Sequence, residues 1–154
     1  MIFKLIDKTY YEKVAPLSLK LAELHASQRP DLFQKTEIMS KKEFNKRIKV
    51  KGFLGIAACE NDTVCAYCFC RVKHFKSKMY PDTASLWIDE IFVKEEYRRN
   101  GVGTALFEEI KRIAKEKNCS IIEFDVWEQN DSAQKFYAAL GCKTQRILKE
   151  YKLS

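Results

Sequence analysis

A mixed α/β sheet is predicted for this 154-residue chain, and three observations predict it. Strand-like and helix-like patterns follow one another in the order β-α-α-β-β-β-α-β-α-β. Two of the strand patterns meet at Asn61-Asp62, a hairpin turn. Further on, a strand leads through a glycine-bearing turn into an amphipathic helix and then another strand. The composition agrees. With 46% hydrophobic and 32% charged residues, five Gly and three Pro, the chain can build a real core. Disordered, collagen-like and low-complexity architectures are excluded. One domain over residues 1–154 is expected, since domains usually run to ~100–200 residues, and neither linker nor repeat interrupts it.

The elements follow in order. Phe3–Asp7 reads as a first strand, and Tyr10–Gln28 as a helix with Val14, Leu17, Leu21 and Leu24 among its apolar positions. Arg29-Pro30-Asp31 interrupts it, because the residue before proline is pushed out of the helical region. Ser40–Ile48 is a short helix opened by a capping box, with Ser40 at the N-cap and Glu43 three residues on. Phe53–Cys59 and Thr63–Lys73 form the hairpin, and Ala84–Val93 is the next strand. A helix then runs from Gly101 to about Lys117, with Val102, Leu106, Ile110, Ile113 and Ala114 on one stripe. Ile121–Val126 is a strand, Asp131–Leu140 a helix ended by Gly141, and Thr144–Leu153 the last strand.

Charge and cysteine narrow the class. Twenty-eight Lys and Arg against 21 Asp and Glu give a net +7, which suits a polyanionic partner without choosing one. The basic residues are scattered and form no recognition helix or finger, so no nucleic-acid partner is expected. The longest apolar run, Phe53–Cys59, is far below the ~20 residues of a membrane span. Met1–Asp7 is too short and charged for a secretory signal, so no membrane partner and a cytoplasmic location are expected. Six Cys then read as reduced thiols. Cys65 and Cys68 form a C-x-x-C, but inside an apolar strand where Cys68 and Cys70 share one face and Cys65 takes the other. No second ligand pair is present downstream, so no metal is expected.

The informative segment is Arg98-Arg99-Asn100-Gly101-Val102-Gly103-Thr104. Glycines at a helix start let backbone N–H groups approach a phosphate, which the helix dipole favours. Thr104, not Lys, directly follows Gly103, so this is not a P-loop. A dinucleotide turn would want a third glycine where Leu106 stands and a tight exit from the strand, although Asp125 lies at about the ~20-residue spacing of its acidic residue.

Arg98-x-x-Gly101-x-Gly103 resembles the [QR]-x-x-G-x-[GA] motif of the GCN5-related N-acetyltransferases, the GNAT family. Ile88–Arg98 resembles the family's approach to that loop, and Asn130-x-x-Ala133-x-x-Phe136-Tyr137-x-x-Leu140-Gly141 its second half. The resemblance implies a mostly antiparallel sheet flanked by helices, with a splayed parallel strand pair holding the cofactor. It implies an acetyl-CoA-dependent N-acetyltransferase in which a neutral primary amine attacks the thioester directly. Arg98, Arg99, Asn100, Gly101, Val102, Gly103 and Thr104 would receive the pyrophosphate. Ile91, Phe92 and Val93 would pair with the pantetheine arm, and Asn130 and Ala133 would complete the cofactor site.

For chemistry, the resemblance makes Tyr137 the general acid beside the sulfur, and Asp89 or Glu90 the carboxylate that helps the amine lose its proton, Asp89 being preferred. Alternation puts Asp89 with Trp87 on one face of the strand and Glu90 with Ile88 on the other. His25, Asp31 and Phe33 are the substrate-side candidates, although His25 by itself reads more readily as a packed or solvent-tipped histidine. The acceptor is a small-molecule or protein amine, and a homodimer stays open. A non-catalytic acyl-CoA-binding or sensing domain is the alternative function. It would have no need of an acid at Tyr137.

Overall fold

Residues 1–153 are described by the structure, a computed structural model. A five-stranded sheet in the order β1-β2-β3-β4-β5 forms its centre. Its strands are β1 (Ile2–Leu5), β2 (Phe53–Glu60), β3 (Thr63–Phe75), β4 (Thr83–Val93) and β5 (Cys119–Glu123). The first four pair antiparallel and β4 pairs β5 in parallel, giving the mixed, mostly antiparallel sheet. Helices α1 (Tyr11–Gln28) and α2 (Lys41–Ile48) cover one face, with Val14, Leu17, Leu21 and Phe44 packed on Tyr67, Phe69 and Phe92. Helices α3 (Val102–Glu116) and α4 (Asp131–Ala139) cover the other. There Leu106, Ile110 and Ile113 meet Cys68, Cys70, Leu86 and Ile88, so burial matches the apolar stripe of α3, while on α1 Leu24 stays exposed.

The local signals act as their chemistry requires. Asn61 takes the left-handed conformation that turns β2 into β3. Ser40 Oγ accepts from Glu43 N while Glu43 Oε2 accepts from Ser40 N, closing the capping box. Asn118 and Gly141, both left-handed, end α3 and α4.

Three expectations are corrected. Cys65 does not face away from Cys68 and Cys70. An extra residue in β3 opposite Ala58/Cys59 shifts the register, and Cys65 joins the α3-side core with them. Thr144–Leu153 is not a strand: residues 142–153 are without helix or strand. Ile147, Tyr151 and Leu153 would share one face of an extended strand, but among the described residues no strand edge or helix covers that face, and they and Leu148 all stay exposed. Side chains hold the segment instead, Glu150 on Arg29 at 3.0 Å, Lys152 on Asp31 at 2.7 Å and Gln145 on Glu123 at 3.1 Å. Strand β5 ends at Glu123 rather than Val126, and Phe124 and Val126 pack on the core beyond it. Among the described residues, no helix is long and apolar enough to cross a membrane.

Candidate active site

The site begins where β4 and β5 part. Their parallel ladder joins Ala84–Trp87 to Cys119–Glu123 and stops, while β4 runs on to Val93 with only β3 beside it. The β5-facing backbone of Ile91, Phe92 and Val93 is therefore an open strand edge inside the molecule. It leads to the turn before α3. Lys94 N donates to Cys65 O at 2.9 Å, and a single 3-10 turn at Glu95–Tyr97 carries the chain round.

Arg99 (φ 59°) and Gly101 (φ 75°) both adopt left-handed backbone, which curls successive N–H groups around one point. Ala105 N is the first to find a helical carbonyl, on Gly101 O at 2.9 Å. The N–H groups ahead of it are the unpaired donors of a helix start, with the positive dipole end behind them. Val102 turns its side chain into the core and offers only backbone, whereas Arg99, Asn100 and Thr104 are exposed. Arg98 donates from Nε to Val93 O at 2.9 Å and lies 5.4 Å from the Phe92 ring centre, pinned to the end of β4. A Cβ at Gly103 would stand 3.2 Å from two ring carbons of Phe136 and 3.6 Å from Val93 Cγ2. Glycine here lets α3, α4 and the end of β4 converge.

Across the gap stands α4. Asn130 Oδ1 accepts from Ala133 N at 3.1 Å, capping the helix, so this oxygen serves backbone and its amide N–H groups are what it has left to offer. Tyr137 is buried among Phe124, Phe107 and Phe136, with ring centres 4.1, 6.2 and 5.1 Å away. Burial, then the neighbouring Cys68 and Cys142, raise its phenol well above the ordinary value, so it keeps its proton throughout the neutral range.

The two carboxylates on β4 do not sit as strand alternation expects. The register shifts opposite Phe69/Cys70, leaving Asp89 as the extra residue. Ile88 packs on the α3 side, while Glu90 reaches the α1 side. Ile88 and Glu90 therefore occupy opposite faces. Glu90 accepts from Ser18 Oγ at 2.9 Å, Tyr67 Oη at 2.5 Å and Arg47 Nη1 at 2.5 Å. Burial and the Glu90 charge hold Tyr67 well above its ordinary pKa, so it remains a neutral donor. Asp89 is gripped at both oxygens by Arg71, at 2.6 and 2.7 Å.

His25, Asp31 and Phe33 come together at the end of α1. Phe33 lies 5.5 Å from His25 and 5.5 Å from Trp127, while the Arg29 guanidinium sits 5.3 Å from the Trp127 ring. Asp31 is engaged by Arg29 and Lys152, which hold its carboxyl well below the usual range. Burial lowers the His25 pKa and the Glu90 charge opposes it. Sequence reasoning missed Ser18, Arg47, Tyr67, Arg71 and Trp127. Ser18 and Tyr67 carried a signal, since polar atoms on an otherwise apolar stripe need a partner. Among the described residues, no group of three or more His, Cys, Asp or Glu is placed to hold a metal.

Known proteins share this architecture. A family model described as the Acetyltransferase (GNAT) family matches residues 19–142. A thialysine N-epsilon-acetyltransferase of Bos taurus is 32% identical over 59 residues, 38% of this chain and 35% of that protein. The match thus spans about a third of the length of such curated relatives. A mutant of the BH1408 protein from Bacillus halodurans superposes with a TM-score of 0.93 at 26% identity, covering 100% of both chains. The aminoglycoside N-acetyltransferase AAC(6')-Iy, solved with CoA, is similar in fold, with a TM-score of 0.71 at 18% identity over 99% of each chain.

Proposed function

Because the chain belongs to the GNAT acetyltransferase family, we propose that it is an acetyl-CoA-dependent N-acetyltransferase acting on a primary amine of a small molecule or protein. The observation that carries this is the join between an open β4 edge at Ile91–Val93 and the unpaired N–H groups that open α3. The strand edge suits an extended amide-bearing arm. The helix start suits a pyrophosphate. Residues Arg99–Thr104 would donate to the phosphates through backbone, with the Arg99 charge nearby. Acetyl-CoA, when bound, supplies the thioester.

The amine nitrogen attacks the thioester carbonyl, so a C–N bond forms and the C–S bond breaks. One proton leaves the amine and one reaches the departing sulfur. Tyr137 suits the second task as the hydroxyl of a buried, protonated phenol. With its pKa above that of a thiol (~8.5 for cysteine), it would donate a hydrogen bond to the leaving sulfur as the C–S bond breaks. The thiolate then takes up the proton released by the amine, relayed through water. Asp89 and Glu90 would steer the ammonium proton away, the first at the β4 bulge and the second beside it, facing α1.

Tyr137→Phe tests the assignment, since it keeps the ring in its aromatic cage and removes only the hydroxyl. Turnover should fall at least ~100-fold, the low end of acid–base contributions, with acetyl-CoA affinity nearly intact. Unchanged turnover in initial-rate assays would remove Tyr137 from the role.

A further inference from the structure

A small pocket on the α2 side of the sheet has two arginines that the chemistry above leaves unused. It has a volume of about 200 Å³ and is lined by Arg47, Val50, Phe53, Arg71 and Asp89. That is below the ~300–1,000 Å³ of clefts that take drug-sized ligands, and it suits a single small group. Two guanidiniums and one carboxylate share it with an apolar wall. Both arginines are fixed in place. Arg71 spends Nε and Nη2 on Asp89, while Arg47 spends Nη1 on Glu90 and lies 4.7 Å from the Phe69 ring centre.

Among the described residues, Arg71 Nη1 and the Nε and Nη2 of Arg47 have no side-chain acceptor. Two anchored guanidiniums with spare donors, at one pocket, form a preorganised receptor for a planar anion. Asp89 also ties the pocket to the chemistry. It stands two residues before Ile91, the start of the strand segment assigned to the pantetheine arm.

Resting on the acetyltransferase reading, we propose that the acceptor amine carries a carboxylate, an amino-acid-type zwitterion whose anionic end is held by Arg47 and Arg71. A purely cationic amine would offer the spare arginine donors no acceptor and would compete with Arg47 and Arg71 for Glu90 and Asp89. A neutral amine would leave the spare arginine donors to solvent and gain nothing from them. A zwitterion satisfies both arginines and leaves its ammonium to Asp89 and Glu90.

The test is CoA release from acetyl-CoA with matched acceptors: glycine, β-alanine, 4-aminobutyrate and L-lysine, each as free acid and as carboxamide. In at least one pair the acid should exceed the amide ~10-fold or more in kcat/KM, mainly through KM, as charge-assisted hydrogen bonds allow. Arg71→Gln and Arg47→Gln should each cut that ratio below ~3, and Arg71→Lys should recover part of it. The ratio is internal to each variant, so partial unfolding does not alter it. If acetyl-CoA still stabilises the protein but acids and amides are equal, or no acid is acetylated, the inference is overturned and the ion pairs only brace the bulge. If acetyl-CoA does not bind, the acetyltransferase reading fails and the inference falls with it.

Discussion

Gly103 shows how one missing side chain can serve both a ligand site and a packing junction. Its hydrogen faces Phe136 at a distance that leaves a Cβ little room, so a larger residue pushes on α4 beside Tyr137 before it reaches the phosphate region. Gly103→Glu should therefore abolish acetyl-CoA binding in calorimetric titration, adding negative charge as well as bulk at a helix start. A folded variant with normal affinity would show that the turn does not hold the pyrophosphate.

His25 gives a pH signature. Burial sets its folded pKa below the 6.5 of the free side chain. The unfolded chain then binds more protons below pH 6.5, so this stability is complete above that pH and is lost as pH falls through the folded pKa. Denaturant midpoints should drop between pH 7 and 5, and His25→Gln should flatten that part of the profile.

At this scale the two halves of the candidate site were legible as motifs. Arg98-x-x-Gly101-x-Gly103 and Asn130…Tyr137 marked the turn and the opposite helix. The partners of Glu90 were not, because Ser18, Arg47, Tyr67 and Glu90 lie on four separate elements and only the fold joins them.

Among the elements, those with a local signal formed as their sequences indicate. The α2 capping box is the simplest case: Ser40 and Glu43 satisfy each other's backbone donors. Ser40→Ala should cost about 1 kcal/mol, a fall of ~2–4 °C in melting midpoint for a chain of this size. An unchanged midpoint would mean that tertiary packing alone holds α2.

Strand faces were legible only as far as the pleat stays regular. Cys65 and Asp89 each sit at a register shift, and an inserted residue moves the rest of its strand to the other face without any mark in composition. The segment after Gly141 failed for a different reason. Its strand-like pattern finds no partner strand among the described residues, and pairs from Arg29, Asp31 and Glu123 fix it through side chains rather than a ladder.

For the whole molecule, the sheet acts as a wedge. Its antiparallel strands β2–β4 are paired along long ladders, whereas β4 and β5 join only at one end. The gap at their other end is lined by a free strand edge, a helix start and a buried phenol. The net charge of +7 adds a general attraction for polyanions, which would help acetyl-CoA and ATP alike. Shape and donor placement must do the discriminating.

Thermal unfolding in parallel with acetyl-CoA, CoA, ATP and NAD, each in large excess, separates the two effects. A ligand at ~100 times its Kd adds ~2.7 kcal/mol, several degrees in midpoint for this chain length. Acetyl-CoA and CoA should raise the midpoint by that amount while ATP and NAD leave it within a degree or so. Equal shifts from all four, or none from acetyl-CoA, would contradict the assignment of the β4–α3 junction as the acetyl-CoA site.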